Sequence, residues 1–357
     1  MTKANSPITF SCGTTIKNRF MLAPLTNRQS FEDGQLSDDE LTWLTMRAEG
    51  GFGMVMTCAS HVQEIGKGFS CQLGIFGDHL MEGHKRLAAN IKELGSIAVI
   101  QLHHAGMRTP AELIKGKPVC PSDNKKTNAR GLTLAEVKQL KEDFIEAAIR
   151  SQKCGYNGVE VHGAHGYILT QFLSSEINKR TDEYGGSLSN RSRLLFEIVD
   201  GIRAKCGPNF LIGVRLSPER FGMDINEIKW VCEQLIEGGN IDFLDISLWD
   251  VYKMPSEENY QNKTLLEHFS TLDFKNVKWT VAGKIYNAED VQNVLDAGVD
   301  FVSIGTSGIL HHNFPNLVIK NPNFNPISIP VSEAHLKKEG LSEKFITYLK
   351  RWPDFVK

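Results

Sequence analysis

The chain has 357 residues, 41% of them hydrophobic and 23% charged, which is ordinary for a globular protein and long enough for a deep core. A formal net charge of −2 at pH 7 argues against a polyanion-binding surface, so nucleic acid is excluded as the expected partner. No apolar run reaches membrane-spanning length and the first residues lack a signal peptide's apolar core, so a cytoplasmic protein free of the membrane is expected.

In chain order, apolar runs alternate with helical patterns. "FMLAPL" is a strand-like segment, and "SDDELTWLTMRAEGG" after it sets Ser37 at an N-cap with Glu40 three residues on. "GMVMTC" and "IAVIQL" read as the next two strands. "TLAEVKQLKEDFIEAAIRSQKCG" repeats the helix start with Thr133 and Glu136, and Leu134, Val137, Leu140, Phe144, Ala147, Ala148 and Ser151 form its buried stripe. "GVEVHG", "LIGVRL", "DFLDIS", "VKWTVAG" and "DFVSIG" complete the strands, and between the last two "NAEDVQNVLDAG" starts with Asn287 and Asp290. Each capped helix ends on glycine.

Eight short segments rich in β-branched residues, mostly separated by tens of residues containing a helix, predict a (β/α)8 TIM barrel. A doubly wound open sheet competes, but it would have fewer strands and gives no reason for functional residues at nearly every strand end. No composition shift divides the chain, so residues 1–357 read as one domain with elaborated loops after strands 3 and 6, and residues 335–357 as a closing helix and tail. The aromatic and basic tail favours a homodimer. The seven cysteines are scattered, odd in number and in no CxxC pair, which predicts reduced thiols and no structural metal.

On such a barrel the chemistry lies at the carboxyl ends of the strands. Those ends carry Ala23, Pro24, Leu25 and Thr26; Cys58; Gln101, His103 and His104; His162 and His165; Arg215; Gly283 and Lys284; and Gly305 and Thr306. This set is polar and nearly free of carboxylates, with Asp245 the one obvious acid. A metal-dependent hydrolase would want carboxylates converging with the histidines, and as a metal pair His162 and His165 lack an evident third ligand. Gly283 and Gly305 sit where loops after strands 7 and 8 commonly cradle a phosphate, although tight βα turns use glycine anyway. With Arg215 they suggest a phosphorylated, electron-rich cofactor across the barrel mouth, a description that flavin mononucleotide (FMN) fits.

"NRFMLAPLT", "IQLHHAG", "VEVHGAHGYILTQFLSSEINKRTDEYGGSLSNRSRLLFEIV" and "IGTSGIL" resemble the old yellow enzyme family of FMN-dependent ene-reductases and NAD(P)H:flavin oxidoreductases, in its single-domain form. The resemblance covers roughly residues 7–315. It implies that Ala23, Pro24, Leu25 and Thr26 run along the flavin ring, Thr26 tuning it, and that Cys58 lies beside the ring. It further implies that Gln101 contacts the pyrimidine edge and that Arg215 is the cation next to N1 and O2, where it would stabilise the anionic reduced flavin. His162 and His165 match the pair that donates hydrogen bonds to a substrate's carbonyl or nitro oxygen, and Tyr167 matches the residue that protonates the α-carbon. No Rossmann-type GxGxxG follows the first strand, so NADH or NADPH is expected to dock over the same flavin face as the electrophilic alkene, in ping-pong order.

Two positions depart from the family pattern. Thr306 replaces an arginine that grips the FMN phosphate, leaving backbone amides, its own hydroxyl and Lys284, so looser FMN binding is expected. Arg28 stands in a region where relatives place a substrate-facing tyrosine, and a cation there would select acidic or polar substrates or point to solvent. Longer relatives add an iron–sulfur cluster, for which this chain has no cysteine cluster, so a diffusible reductant is expected. The leading reading is an NAD(P)H-dependent reductase of α,β-unsaturated carbonyls, with nitro compounds or quinones as further acceptors. A flavin-binding sensor or carrier with weakened catalysis, and a metal-dependent hydrolase, are the competing readings.

Overall fold

Eight parallel strands close on themselves in the computed structural model, which describes residues 3–357. They are β1 (Phe20–Leu22), β2 (Met54–His61), β3 (Ile97–His103), β4 (Gly158–Gly163), β5 (Leu211–Leu216), β6 (Phe243–Ser247), β7 (Lys278–Ala282) and β8 (Phe301–Ile304). Each pairs with the next, and β8 returns to β1 through Val302 opposite Phe20 and Ile304 opposite Leu22. All eight were legible as apolar runs because a parallel strand covered on both faces has no polar side to alternate with.

The covering helices are α1 (Asp38–Glu49), α2 (Met81–Glu93), α3 (Leu134–Lys153), α4 (Ile168–Leu173), α5 (Leu188–Cys206), α6 (Ile225–Gly238), α7 (Leu265–Phe269), α8 (Ala288–Asp296) and α9 (Thr306–Leu310). Capping boxes start α3 and α8 as expected. At α1 only half of the box forms. The Glu40 amide donates to Ser37 Oγ at 3.2 Å, while the Glu40 carboxylate turns inward to accept from Asn27 Nδ2 at 2.9 Å and from Ser30 Oγ. The buried carboxylate thereby pins the loop that leaves β1 for the barrel mouth.

The barrel interior divides by chemistry. At its amino-terminal end Met21, Met54, Val99, Leu211, Phe243 and Phe301 meet a hairpin, Ile8–Thr9 with Thr15–Ile16, whose Phe10 ring lies 5.7 Å edge-on from Phe301 and 6.0 Å from Phe243. This apolar plug leaves the carboxyl end of the barrel to polar side chains. The loop after β3 carries two 3-10 turns and the short pair Val119–Cys120 with Arg130–Gly131; the one after β6 carries a 3-10 turn at Glu258–Tyr260. Beyond α9 lie α10 (Phe314–Lys320), α11 (Glu333–Lys338) and α12 (Glu343–Leu349). The tail is two short helices rather than one, because Gly340 at φ +82° leaves the helical region and Ser342 caps a new start. Among the described residues no helix is long and apolar enough to cross a membrane.

Candidate active site

The polar upper half of the barrel is assembled by strand register. Gln101 on β3 lies beside Glu160 on β4, His162 beside Arg215 on β5, and Arg215 beside Asp245 on β6. All five side chains are buried. Gln101 Nε2 donates to Glu160 Oε2 at 2.6 Å, and Arg215 Nε lies 3.4 Å from Asp245 Oδ2. Burial raises both carboxyls above the ordinary carboxylate range, Glu160 the more strongly. The expectation of a site nearly free of carboxylates is thus corrected. Glu160 went unnoticed inside "VEVHG", although it shares a strand face with His162 two residues on, the period-2 rule that could have found it.

Above this layer the chain turns sharply. His165 adopts a left-handed φ of +61°, fixed by its amide donating to Ser217 Oγ at 2.9 Å and by Arg108 donating to its carbonyl. The turn brings the rings together. His162 Nε2 is 3.1 Å from His165 Nδ1, and Tyr167, which opens α4, stacks edge-on to His103 at 4.4 Å and to His162 at 5.2 Å between centroids. The Arg108 guanidinium covers the Tyr167 ring at 4.6 Å, and the half-exposed Trp249 closes on His165 at 5.9 Å. Burial, with Arg215 and Arg108 adding positive charge, holds His162 and His165 well below the ordinary imidazole value, so both are neutral at pH 7.

Arg215 donates to Ser247 Oγ at 3.3 Å, and that hydroxyl lies 2.8 Å from His165 Nε2. With one proton on each neutral ring, the contact between His165 Nδ1 and His162 Nε2 is bridged by the proton of one or the other. His162 Nδ1 is buried with no hydrogen-bond partner among the described residues. It is a polar atom in want of a partner, which the pyrimidine edge of FMN offers, so the residues present fit that cofactor. Ser247, Ser217, Arg108 and Trp249 were not singled out in the sequence. Ser247 had a signal, being two residues after Asp245 on the same strand.

The remaining expected positions divide. Ala23, Pro24, Leu25 and Thr26 follow β1 directly, Ala23 buried and the others half-buried. Gly305 precedes α9, where an added Cβ would meet only Leu25 Cδ2, at 3.7 Å, so open space adjoins Thr306 and the first-turn amides. Gly283 has a different reason to be glycine, since a Cβ there would lie 2.7 Å from the Asp250 amide nitrogen. Lys284 is exposed and ion-paired with Asp250 at 2.9 Å, so its charge is already engaged. Cys58 does not face the barrel mouth. A register shift in β2 between Met56 and Ala59 turns its thiol to the buried Glu40 on α1, and burial and that carboxyl raise its pKa. Arg28, at φ +56°, lies over the Tyr348 ring of α12 at 5.1 Å; burial raises the Tyr348 pKa, Arg28 lowers it and Tyr167 raises it, which places α12 at the mouth. His162 and His165 bond to each other and to Ser247, and among the described residues no group of three His, Cys, Asp or Glu side chains is placed to hold a metal ion.

Residues 5–316 match the family described as NADH:flavin oxidoreductase / NADH oxidase. The chain is 35% identical over 319 residues to a probable NADH-dependent flavin oxidoreductase of Bacillus subtilis, covering 86% of this chain and 85% of that one. It is 32% identical over 340 residues to an NADPH dehydrogenase of Clostridium acetobutylicum, covering 90% and 92%. Among solved structures it resembles the old yellow enzyme homologue of Zymomonas mobilis, with a TM-score of 0.80, 26% identity and coverage of 96% and 99%.

Proposed function

The chain belongs to the NADH:flavin oxidoreductase / NADH oxidase family, the FMN-binding, NAD(P)H-using family of the old yellow enzymes, and from that premise we propose that it reduces activated carbon–carbon double bonds. The observation that carries the proposal is the neutral His162–His165 pair, 3.1 Å apart beside Tyr167 and above Arg215. Bound FMN supplies the hydride chemistry.

The protein's part is to hold, orient and polarise. Arg215, Gln101 and His162 Nδ1 hold the pyrimidine edge, Ala23 to Thr26 line the ring, and Gly305, Thr306 and the α9 amides face the phosphate. A substrate oxygen entering between the imidazoles takes the N–H that bridges His165 Nδ1 and His162 Nε2. With His165 as its Nδ1–H tautomer and His162 as its Nε2–H tautomer both rings donate to that oxygen, and His162 Nδ1 meets the pyrimidine edge as an acceptor. Two neutral donors aimed where negative charge develops stabilise an enolate-like transition state without a competing cation. Tyr167, whose hydroxyl has no hydrogen-bond partner among the described residues, is the proton donor to the α-carbon, and Arg28 and α12 bound the substrate's far end. With no separate dinucleotide motif, nicotinamide and alkene use one face in turn, which is ping-pong order.

Steady-state rates with NADH or NADPH against 2-cyclohexenone, with product analysis, test the proposal. Parallel double-reciprocal lines and cyclohexanone as product are expected. Flavin that NAD(P)H bleaches but no alkene reoxidises contradicts it, and flavin that stays oxidised under both nucleotides favours a flavin carrier, the reading that Thr306 motivates.

A further inference from the structure

The mechanism leaves two fully buried carboxyls unused. Glu160 and Asp245 are both 0% exposed, on β4 and β6, directly under the position assigned to the flavin's pyrimidine edge. Glu160 Oε1 and both oxygens of Asp245 are buried without a hydrogen-bond partner among the described residues, so two ionised carboxyls would have only the Gln101 amide at 2.6 Å and Arg215 at 3.4 Å to stabilise them. The charges bearing on them are few. Arg215 approaches Asp245 from β5, and neutral Gln101 approaches Glu160 from β3. One guanidinium thus stands against two carboxyls in a site sealed from water, where an uncompensated charge is expensive.

The neighbours decide where the proton sits. Asp245 Oδ2 is 3.4 Å from Arg215 Nε, which favours its ionised form. Glu160 accepts the Gln101 amide N–H and makes no ion pair among the described residues, an environment that suits a neutral acid better than that of Asp245.

We propose that Glu160 and Asp245 act as a one-proton carboxyl pair, with Glu160 neutral and Asp245 ionised, that sets how much of the Arg215 charge reaches the flavin and so sets its reduction potential. Both are positioning residues, acting through Arg215 and Gln101 rather than on substrate. With a single negative charge the pair cancels Arg215 and leaves the site near neutral; with two it would oppose the negative charge that reduction brings to the ring. The inference rests on the FMN reading of the site.

Two variants and two readouts test it. In Glu160→Gln a neutral amide takes the place of the protonated acid and still accepts from Gln101. In Asp245→Asn a negative charge beside Arg215 is lost. The expected result is a reduction potential in Glu160→Gln close to the unaltered holoprotein's, and in Asp245→Asn a shift of at least tenfold toward reduced flavin, about 30 mV upward for a two-electron couple. In the infrared spectrum of the flavin-free protein at neutral pH, a protonated-carboxyl C=O band should be present and vanish in Glu160→Gln.

A potential in Glu160→Gln raised as far as in Asp245→Asn, an unshifted potential in folded, FMN-loaded Asp245→Asn, or absence of the infrared band overturns the proposal. If Asp245→Asn does not fold, Glu160→Gln and the band decide between the outcomes. If the unaltered chain takes up no FMN, the reading of the site fails and the tuning role fails with it, while the infrared arm still settles the shared proton.

Discussion

Ser247 shows how one hydroxyl sets the chemistry of a neighbouring ring. It accepts from Arg215 and lies 2.8 Å from His165 Nε2, and by donating its own hydrogen there it would hold the His165 proton on Nδ1, toward the substrate opening. Ser247→Ala should lower kcat for enone reduction by roughly tenfold to a hundredfold, less than the ~10²–10³ of deleting an oxyanion donor outright, with little change in KM. An unchanged kcat would remove Ser247 from the account. At the phosphate end, Lys284 is committed to Asp250 and Thr306 offers only a hydroxyl. Thr306→Arg should therefore tighten FMN binding by roughly tenfold to a hundredfold, a charge-assisted hydrogen bond contributing ~1.5–3 kcal/mol. Lys284→Ala should change it little; fluorescence titration of the apoprotein checks both. At this scale the sequence was partly legible. Chain neighbours such as His162, His165 and Tyr167 announce themselves, whereas Glu160 and Ser247 carry only the period-2 signal of sharing a strand face with His162 and Asp245, and their partners Gln101 and Arg215 come from neighbouring strands. Cys58 was misplaced for a local reason, because a register shift in β2 breaks the alternation on which its direction was judged.

The elements themselves were the most legible feature. Eight apolar runs fall on eight strands, and the caps at Thr133 and Asn287 behave as their spacing requires. Glu40 departs because burial against Asn27 and Ser30 outweighs a surface cap contact. The amino-terminal hairpin was not read at all, since two-residue strands leave no periodicity to detect. Its role follows from packing. Phe10 seals the barrel's lower end against Phe243 and Phe301, so Phe10→Ala should lower unfolding free energy by about 3–5 kcal/mol while the flavin spectrum of the folded protein is unchanged. Denaturant unfolding of the loaded protein measures this, and a loss below about 1 kcal/mol would mean that the hairpin is dispensable.

For the whole molecule, buried neutral histidines impose a pH dependence on stability. Burial depresses His61 and His84 to about 4 and His104 to about 3, and His103, His162 and His165 lie well below their ordinary value. The unfolded chain binds these protons near pH 6.5 and the folded chain does not, so stability is fully present above pH 6.5 and falls as pH drops toward 4. Each group contributes a slope of about 1.4 kcal/mol per pH unit in that window. Urea midpoints between pH 7.5 and 5 should fall steeply, and flat midpoints would show the imidazoles to be solvated. Activity should follow a different course, since burial holds the His162–His165 donors well below the ordinary imidazole value and they impose no acid limb of their own near neutrality.

The central claim is that a neutral imidazole pair over FMN delivers electrons to a polarised double bond. Its most direct test is anaerobic single-turnover reoxidation: the holoprotein is reduced with one equivalent of NADPH, mixed with 2-cyclohexenone and followed at the flavin absorption band. The account predicts full return of oxidised flavin with one equivalent of cyclohexanone, slowed by at least ~100-fold in His162→Ala and His165→Ala. Reoxidation that is absent in the unaltered protein, or equally fast in both variants, would contradict it.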